Sequence, residues 1–178
     1  MVIGGRLHRG AHEAAVEVGY FLPNRAALDC QYPGFGALEG EVAGPGIVRR
    51  ARARLIAGEA STLGALPPDA VTARAIFDAA ERGDTLATAV VAETADLLAL
   101  LIGGFATILN PGTIVIGGGI GRRAAALIPR IRERLMGRVP FVPALAGSVL
   151  HERAVLYGAA ALADRSLAGG IHVTESQP

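Results

Sequence analysis

From Leu97 to Ile120 the chain carries no charged residue. A run of that length and apolarity resembles a membrane span. Asn110-Pro111-Gly112 divides it, and neither part reaches the roughly 20 residues a helical span requires. Proline lacks the N–H that a helix interior needs, so the helix running into this point stops there. The two parts therefore read as buried core, with no membrane association. Thr113 to Ile116 is a β-branched run that predicts a strand buried on both faces. Gly117, Gly118 and Gly119 follow at its C-terminal end, and Arg122 to Arg138 predicts the next helix. Strand, glycine turn and helix form the crevice in which open α/β sheets bind ligands. Glycine lets backbone approach a ligand closely, and a helix start offers unpaired N–H groups to a phosphate. No Gly-Lys-Ser/Thr follows, and Gly117-Gly118-Gly119-Ile120-Gly121 does not keep the dinucleotide spacing. The plain alternative is a tight connection without a ligand.

A length of 178 residues is one domain or one lobe of something larger. Aromatic residues are only 4% of an otherwise apolar chain, so Ala, Val, Leu and Ile must build the core. The net charge of +1 leaves no global footprint for nucleic acid or an anionic membrane. Cys30 is the single cysteine, which excludes an internal disulfide and a multi-cysteine zinc site. That usage suits a reducing, cytoplasmic compartment. Met1-Val2-Ile3 is too short for the apolar core of a signal peptide.

Val2-Ile3, Gly4-Gly5 and Arg6-Leu7 predict a β-hairpin, which needs sheet partners from elsewhere. Arg9 to Tyr20 reads as a loop passing under a pocket and entering a strand, and Phe21 to Gly36 as irregular. Ala37-Leu38-Glu39 opens a helix that Pro45 kinks or restarts. The next helix carries Arg49, Arg50, Arg52 and Arg54, a solvated basic face or else an anion-binding patch. Thr72 to Arg82 predicts a short amphipathic helix ending at Gly83. Asp84 caps the following one, with Leu86, Val90, Glu93, Thr94, Leu97, Leu101, Phe105 and Ile108 at helical spacing. Gly103-Gly104 would let a neighbour pack close. Leu127, Ile128, Ile131 and Leu135 mark the buried face of the helix after the glycine turn, with arginines opposite. Pro140 to Leu150 reads as extended and Val155 to Leu162 as an Ala-rich helix. Residues 1–163 thus form the folded lobe and 164–178 a flexible tail.

Several of these segments, in order, resemble the ROK family of repressors and sugar kinases. Gly4-Gly5-Arg6-Leu7-His8-Arg9-Gly10-Ala11 is similar to its Gly-Arg-Leu-x-x-Gly-Ala hairpin. Glu17-Val18-Gly19-Tyr20 stands where the family has Glu-x-Gly-His. Leu38-Glu39 with Ala43-Gly44-Pro45 is similar to the segment closing its cysteine cluster. Asn110-Pro111 through Gly119 resembles its adenosine segment, and Leu156-Tyr157-Gly158-Ala159-Ala160 its Gly-Ala-Ala ending. The resemblance implies the C-terminal lobe of an actin-like ATPase (ribonuclease H-like) α/β fold, a mixed sheet packed with helices. It implies sugar contacts from Glu17, Tyr20 and Glu39 and a nucleotide contact from Gly117, Gly118 and Gly119.

Departures from the family matter as much. Tyr20 replaces the histidine that binds zinc, and the stretch from Cys30 to Ala37 lacks the Cys-x-Cys-Gly-x-x-Gly-Cys cluster, so zinc is not expected. His8 and His12 straddle Gly10 and make a poor metal pair. The Asp-x-Gly-Gly-Thr phosphate loop of family kinases is not in this sequence, nor is the winged helix of family repressors. ATP and Mg²⁺ are thus expected only with an N-terminal lobe, and DNA only through an N-terminal domain. Three readings follow. The first is a sugar-sensing lobe of a ROK-type transcriptional regulator, a homodimer without catalysis of its own. The second is the C-terminal part of an ATP-dependent sugar kinase. The third, prompted by Met1 standing where a hairpin begins, is a degenerate binding or assembly module complete as it stands, whose open sheet edge needs a partner.

Overall fold

A computed structural model describes residues 1–168 of the chain. A hairpin of β1 (Val2–Ile3) and β2 (Arg6–Leu7) opens it, followed by turns and short 3-10 segments. Two helices come next, α1 (Ala37–Val42) and α2 (Gly44–Ile56), with Pro45 in the first turn of α2. There proline's missing N–H costs nothing, because that donor has no intrahelical partner anyway. Then follow α3 (Ala73–Glu81) and the spine of the lobe, α4 (Thr85–Ile108). After it come β3 (Thr113–Ile116), the one-turn α5 (Gly118–Gly121), α6 (Ala124–Leu135), β4 (Ala144–Gly147) and α7 (Ala154–Ala168). The architecture is α/β.

Helix α4 forms because its start is capped and its sides are covered. The Asp84 carboxylate accepts from Ala87 N–H at 3.0 Å, the N-cap bond. It also accepts from the Ser61 hydroxyl and from both the N–H and hydroxyl of Thr62. Burial alone would raise its pKa, but these donors outweigh burial and bring the carboxyl down to about 2. Helices α2, α3 and α6 pack around α4. The core between them joins Ile47, Phe77, Val90, Leu127 and Ile131, each at most 1% exposed. Long and apolar enough to span a membrane by composition, α4 is here the core helix. Its face is as expected at Leu86, Val90, Thr94 and Leu101, but Ile108 is exposed at the open C-terminal end.

The arginines of α2 are each engaged within the lobe, Arg49 and Arg52 from exposed positions. Arg50 reaches into the core, donating to the buried Thr94 hydroxyl and to Glu41. Arg54 pairs with Glu93 and Glu59, Arg49 with Glu41, and Arg52 donates to the Pro68 carbonyl. Across α4, Asp96 accepts from Arg130 (Nε and Nη2, both 2.8 Å) and from Arg134 (2.9 and 3.0 Å). The Arg130 bonds come first among the causes that hold its carboxyl at about 2, with burial opposing and Arg134 adding to the shift.

Other expectations need correction. The segment before Phe21 enters no strand; Val18–Tyr20 is a 3-10 turn, wound by Tyr20 N–H to Glu17 C=O and Phe21 N–H to Val18 C=O. Strand β3 is not buried on both faces, since Val115 is 59% exposed. Its partner among the described residues is β4, parallel, with Thr113 opposite Ala144 and Ile116 opposite Gly147. The described strands form two pairs, β1 with β2 antiparallel and β3 with β4 parallel. The helix expected from Arg122 begins instead as α5 and restarts at Ala124. Helix α7 continues past residue 163 to Ala168, and the rest of the expected tail lies outside the described residues.

Candidate functional site

Two glycines bring the expected carboxylates onto one surface. Gly36 precedes α1 and lies against the Gly19 carbonyl and the Tyr20 nitrogen. A Cβ there would stand 2.1 Å from the first and 2.3 Å from the second, so only glycine allows the approach. Leu38, 1% exposed, anchors the start of α1. Glu39, in the first turn, is thereby laid on Gly19, where an added Cβ would meet its Oε2 at 2.9 Å. Gly19 is the residue between Val18 and Tyr20, so Glu39 sits on the turn that carries Glu17 and Tyr20. All three side chains are exposed, Tyr20 at 55%. Glu17 and Glu39 join no ion pair and accept no side-chain hydrogen bond among the described residues. Their carboxylate oxygens keep lone pairs available for a ligand's hydroxyls.

The glycine turn builds a second feature. Gly117 ends β3, and Ser148 N–H donates to the Ile116 carbonyl at 2.8 Å, carrying the parallel pairing to the strand ends. Gly118 has φ +68°, and a Cβ on Gly118 or Gly119 would meet nothing within 4 Å, so this backbone lies open. Gly121 does the opposite work: a Cβ there would stand 2.6 Å from the Ile116 carbonyl, so the chain reverses only because it has none. A cavity of about 570 Å³ lies beside the turn, in the size range of small-molecule sites. Its walls are the α1–α2 junction at Ala43 and Gly44, helix α3 at Arg74 and Phe77, and the turn itself at Gly119. Helix α1 therefore joins the two features, with Glu39 at its start and the cavity at its end.

Arg123 fixes the shape of this cavity. Its guanidinium binds Asp78 and Glu81 of α3 and stands 5.9 Å from the centre of the Phe77 ring. It ties the exit of the glycine turn to α3. Reading the sequence for function missed Arg123, Asp78 and Glu81. The i, i+3 spacing of the two acids on one helix face was visible, but the cation they share lies more than 40 positions away. The open backbone of Gly118 and Gly119 stands beside this cavity, and Gly119 lines it. Among the described residues, no three His, Cys, Asp or Glu side chains stand together to hold a metal ion. Cys30 is exposed and joins no disulfide among the described residues.

The chain is 35% identical over 135 residues to the bifunctional enzyme NanE/NanK of Brucella melitensis, covering 76% of this chain and 22% of that one. It is 28% identical over 176 residues to NagC, a DNA-binding transcriptional dual regulator of Escherichia coli, covering 96% of this chain and 42% of that one. The chain thus spans less than half the length of either relative. The crystal structure of a Streptomyces griseus ROK family glucokinase with glucose and AMPPNP superposes with a TM-score of 0.74 at 27% identity, covering 92% of this chain and 56% of that one. A sequence model of the ROK family matches residues 1–166. With the hairpin, the carboxylate turn, the glycine turn and most of α7 falling inside that match, the chain belongs to the ROK family.

Proposed function

We propose that this chain is the sugar-recognising lobe of a ROK protein, acting as the effector sensor of a transcriptional regulator and without catalysis of its own. The observation that carries the reading is the contact of Glu39 with Gly19, which sets two unpaired carboxylates and a phenol on one exposed surface. An ionised carboxylate accepts from two neighbouring sugar hydroxyls at once, and such charge-assisted bonds are the strong ones. Tyr20 supplies a phenolic O–H and a ring face where family members carry a zinc-binding histidine. Sugar held here and by a facing lobe would favour a closed arrangement over an open one and so shift a population. The similarity to NagC along 96% of this chain supports the regulator form. The reading includes the homodimer and the cytoplasmic location expected above, and contact with DNA only through residues outside this sequence.

The open glycine turn and its cavity favour a second reading, the nucleotide-binding part of a sugar kinase. When bound, ATP with Mg²⁺ supplies the phosphoryl group for transfer to a sugar hydroxyl. Gly118 and Gly119 would lie against the nucleoside, and the Arg123 clamp would keep the cavity at a fixed width. Calorimetric titration of the chain with D-glucose and N-acetyl-D-glucosamine, with and without ATP–Mg²⁺, separates the readings. The sensor reading expects sugar heat that Glu39→Ala removes and ATP leaves unchanged. Sugar phosphate formed from ATP when the chain is joined to a lobe carrying a phosphate loop would overturn it in favour of the kinase, and no sugar heat from the chain would contradict the sensor reading.

A further inference from the structure

Two residues other than glycine sit in the left-handed region just ahead of Glu17: Glu13 at φ +58° and Val16 at φ +69°. For valine this is a true outlier, because its two Cγ atoms crowd the backbone. Val16 is 37% exposed, so little burial of its side chain compensates. A tight turn follows it directly. The Val16 carbonyl accepts from Val18 N–H at 2.8 Å, and Glu17 between them has φ −69° and ψ +71°. That is an inverse γ-turn with Glu17 at its apex. The loop behind is closed by Ala15 N–H to the Arg9 carbonyl at 2.7 Å and by the Arg9–Glu13 ion pair. A Cβ on Gly10 would stand 3.0 Å from the Ala15 Cβ, so the loop has little room to relax the strain by shifting.

We propose that Val16 is a positioning residue that sets the sugar affinity of this lobe. The turn presenting Glu17 is entered here through a left-handed residue, and valine holds that entry as a partly populated state. The inference rests on the reading of Glu17 as a sugar ligand and adds how that ligand is tuned. A sugar that binds only the presenting turn has its measured affinity reduced by the fraction of chains that lack it. Glycine takes the left-handed region freely and asparagine tolerates it, so either residue at position 16 should fill the presenting state. Asparagine does so without the extra unfolded-state freedom that partly offsets the gain from glycine.

The test is calorimetric titration of the 178-residue chain with D-glucose and N-acetyl-D-glucosamine, beside thermal melts. The variants are Val16→Gly, Val16→Asn, Glu17→Ala, Glu39→Ala and the pair Val16→Asn with Glu17→Ala. Both position-16 variants are expected to bind sugar about three- to tenfold tighter, the size of gain that removing a minor-state fraction gives. That gain is expected to vanish when Glu17 is alanine. Unchanged affinity in both, even with a higher melting temperature, overturns the inference, because a merely structural role moves stability alone. A gain that survives Glu17→Ala also overturns it. If Glu17→Ala and Glu39→Ala abolish binding while both position-16 variants match the parent, only this inference falls. If neither carboxylate matters, or no variant binds, the sugar reading falls with it.

Discussion

Helices α4 and α7 are built from the same kinds of residue and meet opposite fates. Both are rich in Ala, Leu and Val and poor in charge. In α4, Leu86, Ala87 and Val90 are at most 1% exposed under α2, α3 and α6. In α7, Val155 is 83% and Leu156 69% exposed. Composition therefore states what a helix would bury, and only its neighbours decide whether it does. Removing apolar area from water stabilises by about 25 cal/mol per Å². Much of α4 receives that contribution and Leu156 receives little of it.

Truncation is the largest way to sharpen the contrast. Phe77→Ala, opening a hole where α3 meets α4, is expected to lower unfolding free energy by about 3–5 kcal/mol in denaturant titration. Thr94→Val keeps the volume and removes the hydroxyl that accepts from Arg50 in the core. A loss of about 1–3 kcal/mol is expected, because Nη2 of a mostly buried guanidinium then lacks its acceptor while Nη1 keeps Glu41. Asp84→Ala removes the α4 cap and is expected to cost about 1–2 kcal/mol. At the small end, Leu156→Ala in α7 is expected to change stability by less than about 0.5 kcal/mol. A loss above about 1 kcal/mol there would break the comparison, since it would mean that α7 is covered in solution.

Acid tests the anchoring of α4 without mutation. Asp84 and Asp96 both fall from an ordinary 3.8 to about 2 in the folded chain. A depressed carboxyl contributes stability that is fully present above its unfolded value and lost as pH falls through its folded one. The denaturation midpoint is therefore expected to hold above pH 3.8 and to drop as pH goes from there towards 2. In Asp96→Asn the drop is expected to be shallower, because one of the two titrating anchors is gone.

What the sequence disclosed follows the same division. The Asp84 cap, the stop at Asn110-Pro111-Gly112, the restart at Pro45 and the buried face of α6 were legible because each depends on residues within a turn or two. The exposure of Val115 and Ile108 was not, because it depends on which elements lie alongside. Arg50 looked like surface charge, and only the fold shows Thr94, 44 positions on, receiving it. At the candidate site, Glu17, Tyr20 and Glu39 were singled out through family resemblance alone. Their assembly depends on Gly36 admitting the Gly19 backbone, a contact no local pattern announces. The strain at Val16 was hidden for a related reason: a valine in sequence gives no sign of its φ.

The measurement that bears most directly on the account is the melting temperature of the chain and of Glu39→Ala, with and without D-glucose or N-acetyl-D-glucosamine in large excess. At about 100 times its dissociation constant a ligand stabilises by roughly 2.7 kcal/mol, and about 5–10 °C is the corresponding shift for a domain of this size. The account predicts that shift for the chain with at least one sugar. It predicts none for Glu39→Ala, whose own melting temperature stays where it was because the side chain is exposed and unpaired. No shift with either sugar, or a shift that survives Glu39→Ala, would contradict it.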